Sequence, residues 1–418
     1  MRLSTSILAA LACVGSTYSL AQSLPTASPE SVGLSSTALA QVTANLQAHV
    51  DAGHIAGVVA AVLKDGKLVY HEALGQRDLA TASPMPEDAL FRTYSMTRPV
   101  TSLAAMVLWE EGHFQLDDPI SKYLPEFAQQ EVFVNPSSPS MAQTRARIGD
   151  IEVADLMRHT SGLGSRSSSI YVEQGVRLRS LTAAQVTSNA ARVPLFSDPG
   201  TEFRYGLSAT VLGRLVEVWS GQSLDEFLNE RVFAPLEMHD TVFYVDPERQ
   251  ARLATVYRPD ADGQLQVHEM EDIPFTEQAP LIEGGVGLVA STLDFAKFSQ
   301  LYLNRGELFG RRLLQPETVD LMMENSIAEA LLPIGRGGYM AASGWTIGGF
   351  AYALTPEDYP FTVSPGEVWW DGSAGTRFSI DPVEGIVTVI MAQVSPSSGQ
   401  GFREEFKNGV YEAITDRP

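Results

Sequence analysis

Hydrophobic positions repeat at different intervals along the chain, and these intervals predict strands near both ends with helices between them. Two runs rich in β-branched residues lie on either side of Asp65-Gly66, a dipeptide typical of a tight hairpin turn. From Ser95 to Gly112, apolar residues recur every three or four positions, which predicts a helix. The last third returns to strands in TRFSIDP and GIVTVIMAQV, and a helix follows near REEFKNGVYEAI.

The middle of the chain carries the pattern of amphipathic helices. Helical spacing occurs in IEVADLM, in two segments separated by Gly221, and in TLDFAKFSQLYL. Pro, Ser and Gln accumulate over residues 126–150, where we predict a surface loop. The simplest arrangement is of the α/β (α+β) class, an antiparallel sheet flanked by helices. We expect a sheet subdomain from residues 22–94 and 285–418, with a mostly helical subdomain, 95–284, inserted between them.

Composition excludes several classes of function. The 418 residues carry a formal charge of −21, which argues against nucleic acid and anionic membrane surfaces as partners. The one cysteine is Cys13, so we expect no disulfide and no thiolate site in a processed chain. The 7 histidines lack the H-x-H or H-E-x-x-H spacing of a metal site. We therefore expect neither a metal nor a cofactor, and the sequence leaves the oligomeric state open.

The first residues, 1–21, have the features of a signal peptide. Arg2 gives a positive start, residues 7–14 form a short apolar stretch, and Ser19 and Ala21 are the small residues of a cleavage site. The apolar stretch is too short to span a bilayer, so stable membrane insertion is not expected. We expect an exported protein, either periplasmic or secreted.

Ser95 is the candidate nucleophile. It stands at the start of the predicted helix, where backbone N–H groups and the helix dipole favour an anion. Arg98 follows one turn later on the same face, and a guanidinium does not release its proton in a protein. His159, in RHTSGL, is an alternative base, although a histidine that ties a helix end to a turn is the commoner case. The sequence has no G-x-S-x-G elbow and no Walker-type phosphate loop.

Several segments, taken in order, match the motif pattern of one enzyme superfamily. YSMTRP resembles the S-x-x-K motif, FRYGLSATVLG resembles the Y-x-N region with its helix, and WDGSAGTRFSIDP resembles the K-T-G strand. HTSGL, PLEMHDTVF and GGVGLVASTLDFAKFSQLYLNRGEL are similar to its connecting segments. The chain thus resembles the serine β-lactamase and penicillin-binding-protein superfamily, and most of all its class C-like branch, which includes the family VIII carboxylesterases.

The resemblance implies a role for each matched residue. Ser95 takes the position of the acylated nucleophile, and Tyr205 takes that of the tyrosine that carries protons. The backbone N–H groups of Ser95 and Ser373 would form the oxyanion hole, and Gly372 would lie against the substrate. The fold implied is an antiparallel sheet with an inserted helical subdomain, and the implied enzyme works without a cofactor.

Three positions depart from the pattern of the superfamily. Arg98 replaces the lysine of S-x-x-K, Leu207 replaces an asparagine that holds the substrate amide, and Trp370 replaces the lysine of K-T-G. Without that asparagine and that cation, the cleft has little with which to recognise a β-lactam. Leu207 and Trp370 are therefore predicted to contact the substrate and to favour a neutral acyl or aryl ester.

The leading hypothesis is an exported serine hydrolase that cleaves a small-molecule carboxylic ester through an acyl-enzyme on Ser95, slowed by Arg98. The alternatives are a β-lactamase or D-alanyl-D-alanine carboxypeptidase acting on an amide, a transacylase, and a catalytically silent binding protein of the same fold. Because Arg98 cannot take the Ser95 proton, we predict that Tyr205 takes it as a phenolate paired with the guanidinium. Bringing the pKa of a tyrosine from about 10 to near 7 requires roughly 4 kcal/mol from that pairing.

Overall fold

The structure is a computed structural model that describes residues 23–335 and 338–415, so the predicted signal peptide (1–21) lies outside the described residues. Regular helices are distributed along the whole of this part of the chain. The α-helices are α1 (Ser36–Asp51), α2 (Thr97–Glu110), α3 (Val153–Met157), α4 (Ser169–Glu173), α5 (Ala183–Arg192), α6 (Ser208–Ser220), α7 (Leu224–Leu228), α8 (Thr292–Leu303), α9 (Pro316–Met323) and α10 (Phe402–Glu412).

Strands are concentrated toward the two ends. They are β1 (Gly57–Lys64), β2 (Lys67–Asp78), β3 (Ser83–Pro84), β4 (Leu90–Arg92), β5 (Val132–Phe133), β6 (Thr144–Arg145), β7 (Tyr257–Pro259), β8 (Leu265–Val267), β9 (Val289–Ser291), β10 (Glu307–Leu308), β11 (Arg311–Arg312), β12 (Ser343–Trp345), β13 (Ala351–Ala353), β14 (Val368–Gly372), β15 (Thr376–Asp381) and β16 (Ile386–Ala392).

One antiparallel sheet of 8 strands, in the order β12-β13-β14-β15-β16-β1-β2-β3, forms the centre of the protein. Val58 of β1 lies opposite Ala392 of β16, so strands from the two ends of the chain pair in the middle of the sheet. The turn between β1 and β2 is the predicted one: Asp65 and Gly66 have φ of 50° and 76°, the left-handed values of a tight hairpin. The predicted antiparallel sheet with flanking helices is confirmed.

Helices cover both faces of this sheet. Residues 57–63 of β1 are all buried, which is the pattern of a strand with a protein layer on each side. Val58 and Val62 pack with α1 and α10, while Val59 and Leu63 point into the main core toward α8. Full burial of each such side chain stabilises the fold by about 1.5–3 kcal/mol.

Helix α2 joins the sheet to the helices in the middle of the chain. Residues 97–108 are all buried, and α6 packs closely along them. The segment that leads into α2 is fixed by β4, which pairs with β9. Thr93 continues this attachment, since its backbone N–H and its hydroxyl both donate to the carbonyl of Leu288, each at 2.9 Å. A residue at the start of α2 is therefore held rigidly where sheet and helices meet.

Candidate active site

Ser95 lies in a short 3-10 turn, Tyr94–Met96, immediately before α2. It does not cap the helix, as a serine at a helix start commonly does, because α2 begins only at Thr97. Tyr94 adopts a φ of 44°, a left-handed value that is costly for a bulky residue. The turn is thus strained, and it leaves Ser95 half-buried between fully buried neighbours.

Tyr205 lies just ahead of α6 and interacts with two other site residues. The neighbouring side chain of Ser95 lowers the pKa of the phenol, against the larger effect of burial. The indole Nε1–H of Trp370 donates to the Tyr205 oxygen at 2.9 Å. The structure therefore brings together three of the residues chosen from the sequence, the predicted nucleophile, the predicted proton carrier and a residue of β14.

Arg98 is buried beneath Tyr205. Its guanidinium carbon lies 4.1 Å from the centroid of the Tyr205 ring, and its Nη1 donates to the carbonyl of Gly206 at 2.8 Å. Arg98 is only 6% exposed, and its Nε has no hydrogen-bond partner among the described residues. Burial holds the pKa of this guanidinium below its usual value, while the neighbouring Tyr205 and Glu283 oppose that shift.

The predicted low pKa of Tyr205 is wrong. Burial raises the pKa of the phenol above its ordinary value, and the positive charge of Arg98 only offsets part of that effect. The guanidinium interacts with the face of the ring and gives a hydrogen bond to the Gly206 carbonyl, rather than forming a buried ion pair with the oxygen. Tyr205 is therefore a neutral phenol at neutral pH.

Leu207 and Trp370 have different surroundings from those predicted. Leu207 is 2% exposed and packs in an apolar cluster with residues of α4 and α5, so its side chain supports the helical region rather than facing a substrate. Trp370 is 4% exposed and contacts the Tyr205 ring, with 5.1 Å between ring centroids. Its clearest function in this structure is to donate a hydrogen bond to Tyr205.

The edge of β14 lies against the turn that carries Ser95. A side chain at Gly372 would overlap the carbonyl oxygen of Thr93, so only glycine allows this approach. Ser373 follows at the exposed start of the turn between β14 and β15. Within residues 23–335 and 338–415, its backbone N–H donates to no other group. It is therefore available as an oxyanion donor, the role that the sequence predicts for it.

His159 is closer to the site than its sequence context indicates. Its carbonyl accepts the backbone N–H of Arg204 at 2.7 Å, which ties the end of α3 to the segment before Tyr205. Its imidazole also packs against the Tyr205 ring, with 4.7 Å between centroids, and its Nδ1 is buried without a partner in the described chain. Burial, with a smaller effect from Arg98, lowers the pKa of His159 well below its ordinary value.

Sequence reasoning missed Trp345 and Glu283. Trp345, on β12, packs edge-on against Trp370, with 4.5 Å between ring centroids, and also contacts Tyr205. Glu283 is 3% exposed, accepts the Thr210 hydroxyl at 3.0 Å and pairs with Arg177 at 2.6 Å. Both come from segments without a motif, and no signal in one sequence identifies them.

Elsewhere in the described residues, no group of three or more His, Cys, Asp or Glu is placed to hold a metal ion, and no helix has the length and apolar character needed to cross a bilayer.

The fold and the arrangement around Ser95 are those of a serine hydrolase. Comparison with known proteins gives the family, because the family model named Beta-lactamase matches residues 42–407. The chain belongs to this family, which confirms the resemblance seen in its motifs.

Individual relatives cover nearly the whole chain. An uncharacterised protein of Mycobacterium tuberculosis is 32% identical over 363 residues, covering 84% of this chain and 89% of that protein. Esterase EstB of Burkholderia gladioli is 28% identical, covering 87% of this chain and 94% of EstB. The solved structure of EstCE1, described as a hydrolase with promiscuous acyltransferase activity, superimposes with a TM-score of 0.77 at 26% identity, covering 90% of this chain and 99% of EstCE1.

Proposed function

We propose that this protein cleaves carboxylic esters through an acyl-enzyme on Ser95, with Tyr205 as the residue that moves protons. The observation that carries the proposal is that Tyr205 interacts with the side chain of Ser95 and accepts the indole N–H of Trp370, on the strand that leads to Ser373. The relatives EstB and EstCE1, named as an esterase and a hydrolase, support the same reaction class.

The neutral Tyr205 exchanges protons rather than acting as a phenolate. An indole N–H only donates, so the Tyr205 oxygen accepts from Trp370 at 2.9 Å. If it also accepts the Ser95 hydroxyl, its own proton is left to point into the cleft. As the Ser95 oxygen bonds to the acyl carbon, the Ser95 proton passes to Tyr205, and the phenol proton passes to the departing alkoxide oxygen. The acyl–oxygen bond of the ester then breaks and the alcohol leaves.

Water completes the cycle by the same route in reverse. A water oxygen bonds to the acyl carbon and its proton passes to Tyr205, while Tyr205 returns a proton to the Ser95 oxygen. The bond between the acyl carbon and Ser95 then breaks and the carboxylic acid leaves. Arg98 takes no proton in either step. Its charge, 4.1 Å from the ring centroid, attracts the ring whenever negative charge develops on the phenol oxygen. Because this exchange uses no strong base, we expect slow turnover.

An ester suits this site better than a β-lactam. The indole of Trp370 occupies the position of the cation of K-T-G, and its N–H is already used by Tyr205, so it offers no charge to a substrate carboxylate. The leaving alkoxide of an ester accepts a proton readily from a neutral phenol. The proposal includes export to the periplasm or the cell exterior, which rests on the signal-like residues 1–21 alone.

Covalent labelling tests the proposed function directly. A fluorophosphonate probe should label the folded wild type and should fail to label Ser95→Ala. Hydrolysis of short p-nitrophenyl esters should exceed hydrolysis of a chromogenic cephalosporin by the same preparation. Folded wild type that takes up no label would instead support a silent binding protein, and a cephalosporin rate that rivals the ester rate would overturn the ester preference.

Transfer of the acyl group to an alcohol is a second candidate activity. The relative named monacolin J acid methylbutanoyltransferase, from Aspergillus terreus, is 28% identical over 83% of this chain. EstCE1 is described as a hydrolase with promiscuous acyltransferase activity. The proton exchange at Tyr205 works equally with an alcohol in place of water. Adding a small alcohol to the ester assay should then yield a new ester, measured by chromatography, at the expense of free acid.

A further inference from the structure

Asp371 lies between the two residues of β14 that serve the site, Trp370 and Gly372, and its side chain is held by two buried arginines. Nη1 of Arg403 donates to its Oδ2 at 3.1 Å, and Nη2 of Arg377 lies 3.5 Å from the same oxygen. The side chain of Asp371 is 14% exposed, and those of the two arginines are 4% and 5% exposed. These charges are thus largely removed from water.

Among the described residues, the charges in this cluster balance. Arg377 also pairs with Glu404 at 3.0 Å, so two guanidinium groups face two carboxylates. Arg377 is fixed further by aromatic faces, since its guanidinium carbon lies 4.8 Å from the Phe361 ring centroid. Removal of one partner from a buried ion pair leaves an uncompensated charge. This destabilises a protein more than removal of both partners does.

The position of Asp371 matters because negative charge develops on both sides of it during the proposed reaction. Tyr205 gives its own proton to the departing alkoxide on one side, and Ser373 faces the oxyanion on the other. A carboxylate at this point opposes both changes, and Asp371 already disfavours the charged form of Tyr205. The other charged or titratable groups next to Tyr205 are Arg98 and His159.

We propose that Arg403 is a positioning residue that neutralises Asp371 and draws its carboxylate toward α10, so that β14 presents the Trp370 and Ser373 N–H groups to the site without a nearby negative charge. The inference rests on the proposed function. Helix α10 lies behind β14 and carries no motif residue. The inference gives this helix a defined effect on the chemistry at Ser95.

The test compares Arg403→Met with the double variant Arg403→Met/Asp371→Asn. Arg403→Met should lower kcat for p-nitrophenyl esters about ten-fold and leave KM within about two-fold, which corresponds to roughly one pKa unit on Tyr205. The double variant also removes the carboxylate whose charge Arg377, shared with Glu404, no longer balances, and it should recover at least about five-fold of that loss. Lys407→Met is the matched control, because Lys407 is an equally buried cation one turn further along α10 that pairs with Glu367 instead. It should change thermal stability but not kcat.

A second readout does not depend on activity. Tyrosines are replaced by 3-fluorotyrosine, the Tyr205 signal is assigned in the ¹⁹F spectrum by its loss in Tyr205→Phe, and its titration midpoint is measured. The midpoint should rise by about one unit in Arg403→Met and return in the double variant. This result supports the inference even if the wild type has no esterase activity, in which case only the proposed function fails. An unchanged midpoint, a double variant as slow as Arg403→Met, or an equal loss of kcat in Lys407→Met would each overturn the inference.

Discussion

Replacement of Trp370 by phenylalanine removes one hydrogen bond and keeps an aromatic ring in place. The indole Nε1 lies 2.9 Å from the Tyr205 oxygen and donates its hydrogen to it. Trp370→Phe therefore tests whether this donor stabilises Tyr205 as it gains negative charge. The structure makes the expected effect specific to kcat, because the indole N–H touches Tyr205 and not a substrate.

The size of the effect follows from the kind of hydrogen bond that is lost. A hydrogen bond to a group that carries charge contributes about 1.5–3 kcal/mol, against about 1 kcal/mol for a neutral pair. Because the bond is already present with neutral Tyr205, only the difference of about 0.5–2 kcal/mol lowers kcat, which should fall by roughly 2- to 30-fold at about 1.4 kcal/mol for each factor of ten. KM for a short p-nitrophenyl ester should change little.

The neighbouring residue Trp369 supplies the control. It is 1% exposed, and its Nε1–H donates to Tyr359 at 3.4 Å, away from Ser95. Trp369→Phe should lower the melting temperature by a similar amount to Trp370→Phe and leave kcat within about two-fold, because both remove the same atoms from a packed interior. Equal rates for the two folded variants would refute the assignment of Trp370 as the donor to Tyr205.

Three further changes have defined outcomes. Arg98→Lys places an amine that burial makes less basic beside Ser95, so the ester rate should rise and gain a dependence on pH; a lower rate would show that the guanidinium is needed. Because the buried His159 has a pKa well below 6.5, the unfolded chain binds its proton first as pH falls, and stability present above about pH 6.5 is lost below it. His159→Asn should therefore reduce the drop in melting temperature between about pH 7.5 and about pH 5, and an unchanged drop would contradict the assignment. Gly372→Ala should abolish ester hydrolysis and probe labelling, since its methyl group would overlap the Thr93 carbonyl and push β14 from Ser95; retained labelling at the wild-type rate would contradict this.

Local patterns predicted the fold well where one short segment decides the structure. Asp65-Gly66 forms the expected hairpin because few dipeptides accept two left-handed residues in succession. The uniformly apolar β1 is central in the sheet because only a strand covered on both faces tolerates such a run.

Predictions about the site succeeded for backbone position and failed for side-chain direction. The motif pattern located Ser95, Tyr205 and Trp370, and the structure brings them into contact. It could not show that Leu207 turns into an apolar cluster, because the spacing of a turn before a helix does not fix which neighbours a side chain meets. Nor could it find Arg403 as the partner of Asp371, since that pair joins residues 32 positions apart through the packing of a helix on a sheet.

The position of Arg98 also explains why a lysine is not simply missing from this site. Its Nη1 holds the carbonyl of Gly206, the residue that follows Tyr205, while the rest of the guanidinium lies under the Tyr205 ring. A lysine amine directed at Ser95 would give up at least one of these contacts. In this chain a fixed positive charge, Arg98, therefore replaces the lysine base. Arg98 orients Tyr205 and attracts the phenol when the phenol carries negative charge. Such a site protonates the leaving group as it departs, so its rates should fall less steeply with increasing alcohol pKa than those of Arg98→Lys.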